Sequence, residues 1–143
     1  MTSSLQNSAL KAEQSADLDL ALSCPHQILL VEDNFINQMV ALAILEGLGY
    51  QCDVADNGQE ALNILQQQQY TLIFMDILMP VMDGITATKA IIDKYGEDSP
   101  KIVAMTANVF EKDKNQCFDA GMVDFIAKPI EIDNICRVLK KFA

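Results

Sequence analysis

Short strand-like segments alternate along this chain with longer stretches whose apolar residues recur at helical spacing. Residues 28–31, 51–55, 72–75, 101–105 and 123–126 read as strands. Residues 34–48, then about 58–67, 85–95, 110–120 and 131–141, read as helices. Five strands alternating with five helices predict an α/β domain, a doubly wound parallel sheet with helices on both faces, since right-handed crossovers link such strands almost without exception. Punctuation agrees with this division. Asn34 and Asn57 stand where helix N-caps belong, and Gly49 and Gly121 where left-handed C-terminal caps belong. The last helix carries Ile132, Ile135, Val138, Leu139 and Phe142 at core-facing spacing. Residues 1–25, rich in Ser, Ala, Gln and Leu and stopped by Cys24-Pro25, read as a tail, a linker or one poorly specified helix ahead of a domain at 26–143.

Leu72-Ile73-Phe74-Met75 has no polar side, so it should be a strand buried on both faces and ending at Asp76. Pro80 cannot extend a ladder, and Gly84 can take a backbone angle closed to other residues, so the loop is shaped to hold Asp76. Asp76 is thereby placed at the carboxyl edge of the sheet, where open α/β sheets bind ligands. Other strand ends bring Glu32-Asp33-Asn34, Met105-Thr106-Ala107-Asn108 and Lys128-Pro129 to the same edge. Three carboxylates there repel one another. Two unit charges about 4 Å apart repel by roughly 4 kcal/mol at an effective dielectric near 20, so a cation belongs among them.

Composition narrows the classes. A chain of 143 residues suggests one domain. Its four cysteines show neither Cys-x-x-Cys spacing nor companion histidines, which points to reduced thiols rather than bridges or zinc. Twenty acidic against ten basic residues give a formal charge of -10, which disfavours direct nucleic-acid binding. The sequence holds no apolar run near 18 residues and no basic-then-apolar leader, so a cytoplasmic protein without a membrane span is expected. His26, the one histidine, sits beside Pro25 ahead of the sheet and makes no kinase site.

Val31-Glu32-Asp33-Asn34, Met75-Asp76-Ile77-Leu78-Met79-Pro80, Met82-Asp83-Gly84, Met105-Thr106-Ala107 and Lys128-Pro129 occur in this order, each on the expected element. In these segments the chain resembles, over about residues 27–142, the receiver domain of two-component response regulators, most closely receivers attached to hybrid sensor histidine kinases. The resemblance implies a flavodoxin-like strand order 2-1-3-4-5. It implies that Asp76 accepts a phosphoryl group from a phosphohistidine of a histidine kinase or histidine phosphotransfer domain. Mg²⁺ suits a site of few carboxylates, waters and a phosphoryl oxygen. Glu32, Asp33 and Asp76 would hold the ion and the backbone carbonyl of Leu78 would complete its shell, while Thr106 and Lys128 bind the phosphoryl oxygens. The acyl phosphate would then hydrolyse with the same metal, at a rate tuned by Leu78 and Asn108. A cis Lys128-Pro129 peptide is implied as well.

Signalling would run from the new charge through Thr106 to Phe125, whose inward and outward rotamers define two states; Phe125 lacks a tyrosine hydroxyl, so only the packing half of such a switch applies. A permanently buried Phe125 is the plainer reading. The first helix is apolar all round. Placing Val40, Ala41, Ile44, Leu45 and Leu48 against the sheet leaves Phe35, Met39 and Leu42 outward as an apolar docking stripe, and the resemblance implies that the donor's helical bundle packs there. Alternatively Leu18, Leu20 and Leu22 fold back over that stripe. The module is expected to be a monomer with no enzymatic activity beyond self-phosphorylation and slow self-dephosphorylation, standing alone or excised from a hybrid kinase. Two other classes compete: a degenerate receiver used only as a binding platform, and a flavodoxin-like cofactor binder. The latter would want a Ser/Thr/Gly-rich phosphate loop where Glu32 and Asp33 stand.

Overall fold

The computed structural model describes residues 20–107 and 111–143. Its strands are β1 (Ile28–Val31), β2 (Cys52–Ala55), β3 (Leu72–Asp76), β4 (Lys101–Thr106) and β5 (Asp124–Ala127). They alternate with α1 (Phe35–Gly47), α2 (Gly58–Leu65), α3 (Gly84–Tyr95), α4 (Glu111–Ala120) and α5 (Ile132–Lys141). All pairings are parallel, in the order β2-β1-β3-β4-β5. A short 3-10 turn at Gly96–Asp98 was not legible from spacing.

Side-chain alternation divides the core into two layers. Ile28, Leu30, Leu72, Phe74, Val103, Met105 and Ile126 face α1 and α5, packing with Ala41, Leu45, Leu48, Ile135, Val138 and Leu139. Leu29, Val31, Ile73, Met75, Ile102 and Ala104 face the other way, against Ala61 and Leu65 of α2, Ala87 and Ile91 of α3 and Cys117 of α4. Every residue of β1 and β3 is buried, as unbroken apolar runs require.

Asn34, Asn57 and Asp83 cap α1, α2 and α3, each accepting a backbone N–H with its side chain at 2.8–3.0 Å. Gly49 and Gly121 have φ of 93° and 113° and close the ends of α1 and α4. The N–H of Tyr50 reaches the carbonyl of Leu45, and that of Met122 the carbonyl of Cys117, which is the Schellman pattern.

Three expectations change. Gly84 does not need a positive φ; that conformation falls on Val81, at 67°. What Gly84 provides is space, because a Cβ there would lie 2.2 Å from the carbonyl oxygen of Asp76. On α1, Leu42 does not face outward. It lies about a quarter turn from the buried line Ala41-Leu45-Leu48, half-buried against the layer shared with α5, whereas Val40 on the opposite flank is exposed. Of the tail residues proposed to cover the stripe, Leu18 lies outside the described residues and Leu22 is exposed. Leu20 is buried beyond the C-terminal end of α1, where the Tyr50 hydroxyl donates to the carbonyls of Leu20 and Cys24 at 3.3 and 2.5 Å. Among the described residues no helix is long and apolar enough to cross a membrane.

Candidate functional site

Register alone assembles the site. Val31 pairs with Met75, so Glu32 is carried beside Asp76; Asp76 pairs with Met105, one residue before Thr106. Thr106 pairs with Ala127, one residue before Lys128. Four strand ends thus deliver four functional side chains to one edge. They line, with Asp33, Asn34, Asn37, Ile77, Leu78 and Ala107, a cleft of about 260 Å³. A wider groove of about 500 Å³ lies at the opposite edge, between Leu65, Tyr70, Tyr95 and Pro100, with Asp98 as its one charged lining residue.

Glu32, Asp33 and Asp76 each offer a carboxylate oxygen, and these oxygens lie within 4.8 Å of one another. Glu32 is 1% exposed and Asp76 5%, so water does little to relieve their repulsion. Lys128 relieves part of it, its Nζ lying 3.0 Å from Glu32 Oε2 and 3.2 Å from Asp76 Oδ1. The peptide after it, Lys128-Pro129, is cis. Burial, and then the neighbouring Glu32, push the Asp76 carboxyl up to about 6, against the lowering pull of Lys128. Burial works to lower the Lys128 ammonium, but its contacts with Glu32 and Asp76 outweigh this and raise it. Among the described residues one ammonium for three carboxylates leaves the cluster short of positive charge. That shortfall, with all-oxygen donors, fits a hard divalent cation such as Mg²⁺.

The residues expected from sequence to form the chemical site converge: Glu32, Asp33, Asp76, Thr106 and Lys128, with Leu78 on the cleft wall donating its N–H to Asp76 Oδ1 at 3.4 Å. Asn108 lies outside the described residues. Two contributors were missed. Asn37 donates to Glu32 Oε1 at 3.3 Å, and Gln38 donates to the Glu32 carbonyl at 2.6 Å and to Asp56 Oδ1 at 2.8 Å. Their signal was two adjacent amides interrupting an otherwise apolar helix, five and six residues after a carboxylate.

Phe125 sits on β5, half-buried against the layer facing α2, α3 and α4. Its N–H donates to Asp124 Oδ1 at 2.7 Å and its carbonyl accepts from Arg137 at 3.3 Å. The ammonium of Lys114 lies 4.4 Å from its ring centre. Beside the cleft, Phe35, Ile36, Met39 and Val40 of α1 and Leu78 and Val81 of the loop after β3 are exposed. The outward stripe therefore holds two of the three residues expected, with Ile36 and Val40 added and Leu42 withdrawn.

Residues 28–140 match the family model described as the response regulator receiver domain. The chain is 43% identical over 116 residues to hybrid signal transduction histidine kinase K of Dictyostelium discoideum, and 40% identical over 116 residues to the aerobic respiration control sensor protein ArcB of Escherichia coli. These matches take in 76% and 80% of this chain but only 10% and 15% of the two relatives. Among solved structures, the receiver domain of a Pseudomonas aeruginosa sensor histidine kinase, with magnesium coordinated in its active site cleft, is 38% identical at a TM-score of 0.75, covering 82% of this chain and 96% of that one. The receiver domain of a Saccharomyces cerevisiae response regulator, co-crystallised with a histidine phosphotransfer protein, gives 32% identity and a TM-score of 0.77, covering 81% of this chain and 87% of that one. Strand order, converging site and family match agree, and the chain belongs to the response regulator receiver domain family.

Proposed function

We propose that this chain is a phosphoacceptor module that takes a phosphoryl group from a phosphohistidine onto Asp76 and relays its state through Thr106 and Phe125. The observation that carries this reading is the cluster of Glu32, Asp33 and Asp76 with Lys128 bridging two of the three. In the transfer, a carboxylate oxygen of Asp76 attacks phosphorus, the phosphorus–nitrogen bond breaks, and the imidazole leaves and takes up a proton. Lys128 is placed to meet the charge that spreads over the phosphoryl oxygens, and Thr106 lines the same cleft. Glu32, Asp33 and Asp76, with the Leu78 carbonyl, would hold Mg²⁺, which supplies Lewis-acid charge stabilisation when bound.

The donor is a histidine kinase or histidine phosphotransfer domain, docked on Phe35, Ile36, Met39 and Val40 with Leu78 and Val81 at its edge. An apolar rim around a charged cleft suits such a partner, and the charge of -10 argues against nucleic acid. The module acts as a monomer in the cytoplasm, catalyses only its own phosphorylation and slow dephosphorylation, and occupies residues 26–143, either alone or as part of a hybrid kinase. Intact-protein mass after incubation with Mg²⁺ and a small acyl phosphate tests the reading. One added phosphoryl group, abolished by EDTA, is expected; a gain indifferent to EDTA would refute it.

A further inference from the structure

We infer that Asn37 is a positioning residue of this site, its carboxamide holding the Glu32 carboxylate so that Lys128 remains shared with Asp76. The inference rests on the phosphoacceptor reading above and assigns a task to a cleft residue that this reading leaves without one.

Glu32 cannot rely on water for its charge. Its Oε1 accepts from the Asn34 N–H at 3.2 Å and from Asn37 Nδ2 at 3.3 Å, while Oε2 accepts from Lys128 at 3.0 Å. The Glu32 main chain is fixed separately, through Gln38, so the Asn37 amide acts on the carboxylate alone. Lys128 is in turn divided between two carboxylates at nearly equal distance. How far it leans to either depends on how well each is otherwise satisfied. A buried carboxylate that loses a donor draws harder on the donors left to it. Without the Asn37 amide, Lys128 moves toward Glu32 and away from Asp76, and the carboxylate cluster carries less compensation for its charge. Two consequences of opposite benefit follow: phosphoryl transfer slows, and a divalent cation binds more tightly. A defect in folding would weaken both together.

Asn37 is the third residue of α1, after the Asn34 cap, so the changes needed to test it are structurally mild. Asn37→Leu keeps the shape and removes the donor. Asn37→Asp puts a carboxylate into the first turn of α1, which has none, and there negative charge favours the helix. The measurements are Mg²⁺ affinity by isothermal titration calorimetry, the rate of phosphoryl gain from a small acyl phosphate at saturating Mg²⁺, and the melting temperature. For Asn37→Leu the rate falls about fivefold to tenfold, a part of the roughly tenfold to hundredfold that one hydrogen bond to a charged group is worth, with Mg²⁺ bound at least as tightly as by the native chain. Asn37→Asp moves both quantities further in the same directions, because its carboxylate would face Glu32 where the amide now donates. Native rate and affinity in both variants would overturn the inference, as would rate and affinity weakening together. A native chain that gains no phosphoryl group would instead overturn the phosphoacceptor reading, leaving the Mg²⁺ titrations to read the Asn37 contact by themselves.

Discussion

Gly84→Ala offers a sharp test of how the loop after β3 holds Asp76. A Cβ at position 84 would lie 2.2 Å from the carbonyl oxygen of Asp76 and 3.0 Å from both Asp76 C and Ile77 Cα, against 3.4 Å or more for ordinary contact. All three neighbours are backbone, so no flexible side chain can swing aside. The Gly84 N–H also bonds the Ile77 carbonyl at 2.9 Å, tying the start of α3 to the same short segment. Relief requires a movement of more than 1 Å between the end of β3 and the start of α3. Overpacking of this kind destabilises by about 1–3 kcal/mol, while alanine's better helix propensity returns at most about 1 kcal/mol, so a net loss of about 1–2 kcal/mol is expected in urea unfolding. The same movement displaces Asp76 from Lys128, now 3.2 Å away, and misplacement by about 1 Å can slow a reaction some hundredfold. Gly47→Ala is the control, since a Cβ there meets nothing within 4 Å. It should be neutral or stabilising by up to about 1 kcal/mol, with native phosphorylation. Should Gly84→Ala match the native chain in both unfolding and phosphorylation rate, the close approach of Gly84 to Asp76 would be wrong.

Other perturbations read other parts of the structure. Thr88 is fully buried, and among the described residues its hydroxyl has no hydrogen-bond partner, so Thr88→Val should raise stability by about 1 kcal/mol in urea unfolding. Burial alone would raise the Asp124 carboxyl, but the hydrogen bonds from Arg137, the Phe125 N–H and Lys141 hold it below the usual carboxylate range. Its stabilisation is therefore complete above the unfolded value of about 3.9 and is lost as pH falls through the lower folded value. Asp124→Asn should accordingly cost about 1–2 kcal/mol at pH 7, with a gap to the native chain that closes on acidification below about pH 4. Lys114→Met removes the ammonium over the Phe125 ring and should shift its NMR ring resonances toward those of the phosphorylated state, while Lys114→Arg preserves the native spectrum.

Most of the architecture could be read from the chain because each level repeats the same instruction. The apolar runs at 28–31 and 72–75 have no polar face, which places them at the centre of a parallel sheet, and the carboxylates that follow them then have only one edge to occupy. Caps at Asn34, Asn57, Gly49 and Gly121 were legible for the same reason, each demanding a specific local conformation. What escaped depends on contacts between elements. Helical spacing gave α1 an apolar circumference but could not say which flank α5 would cover, so Leu42 and Val40 exchanged places. The service of Gly84 is steric and appears only once Asp76 is folded over it. Asn37 and Gln38 look like ordinary polar helix residues until Glu32 is seen buried beneath them.

The central claim is that Asp76, and not another carboxylate of the cluster, carries the phosphoryl group. Borohydride reduction converts an aspartyl phosphate to homoserine, so treating the phosphorylated chain and mapping its peptides by mass spectrometry locates the modified position. Reduction is expected at residue 76 alone, and none in Asp76→Asn. Reduction at Glu32 or Asp33, or an undiminished signal in Asp76→Asn, would contradict it.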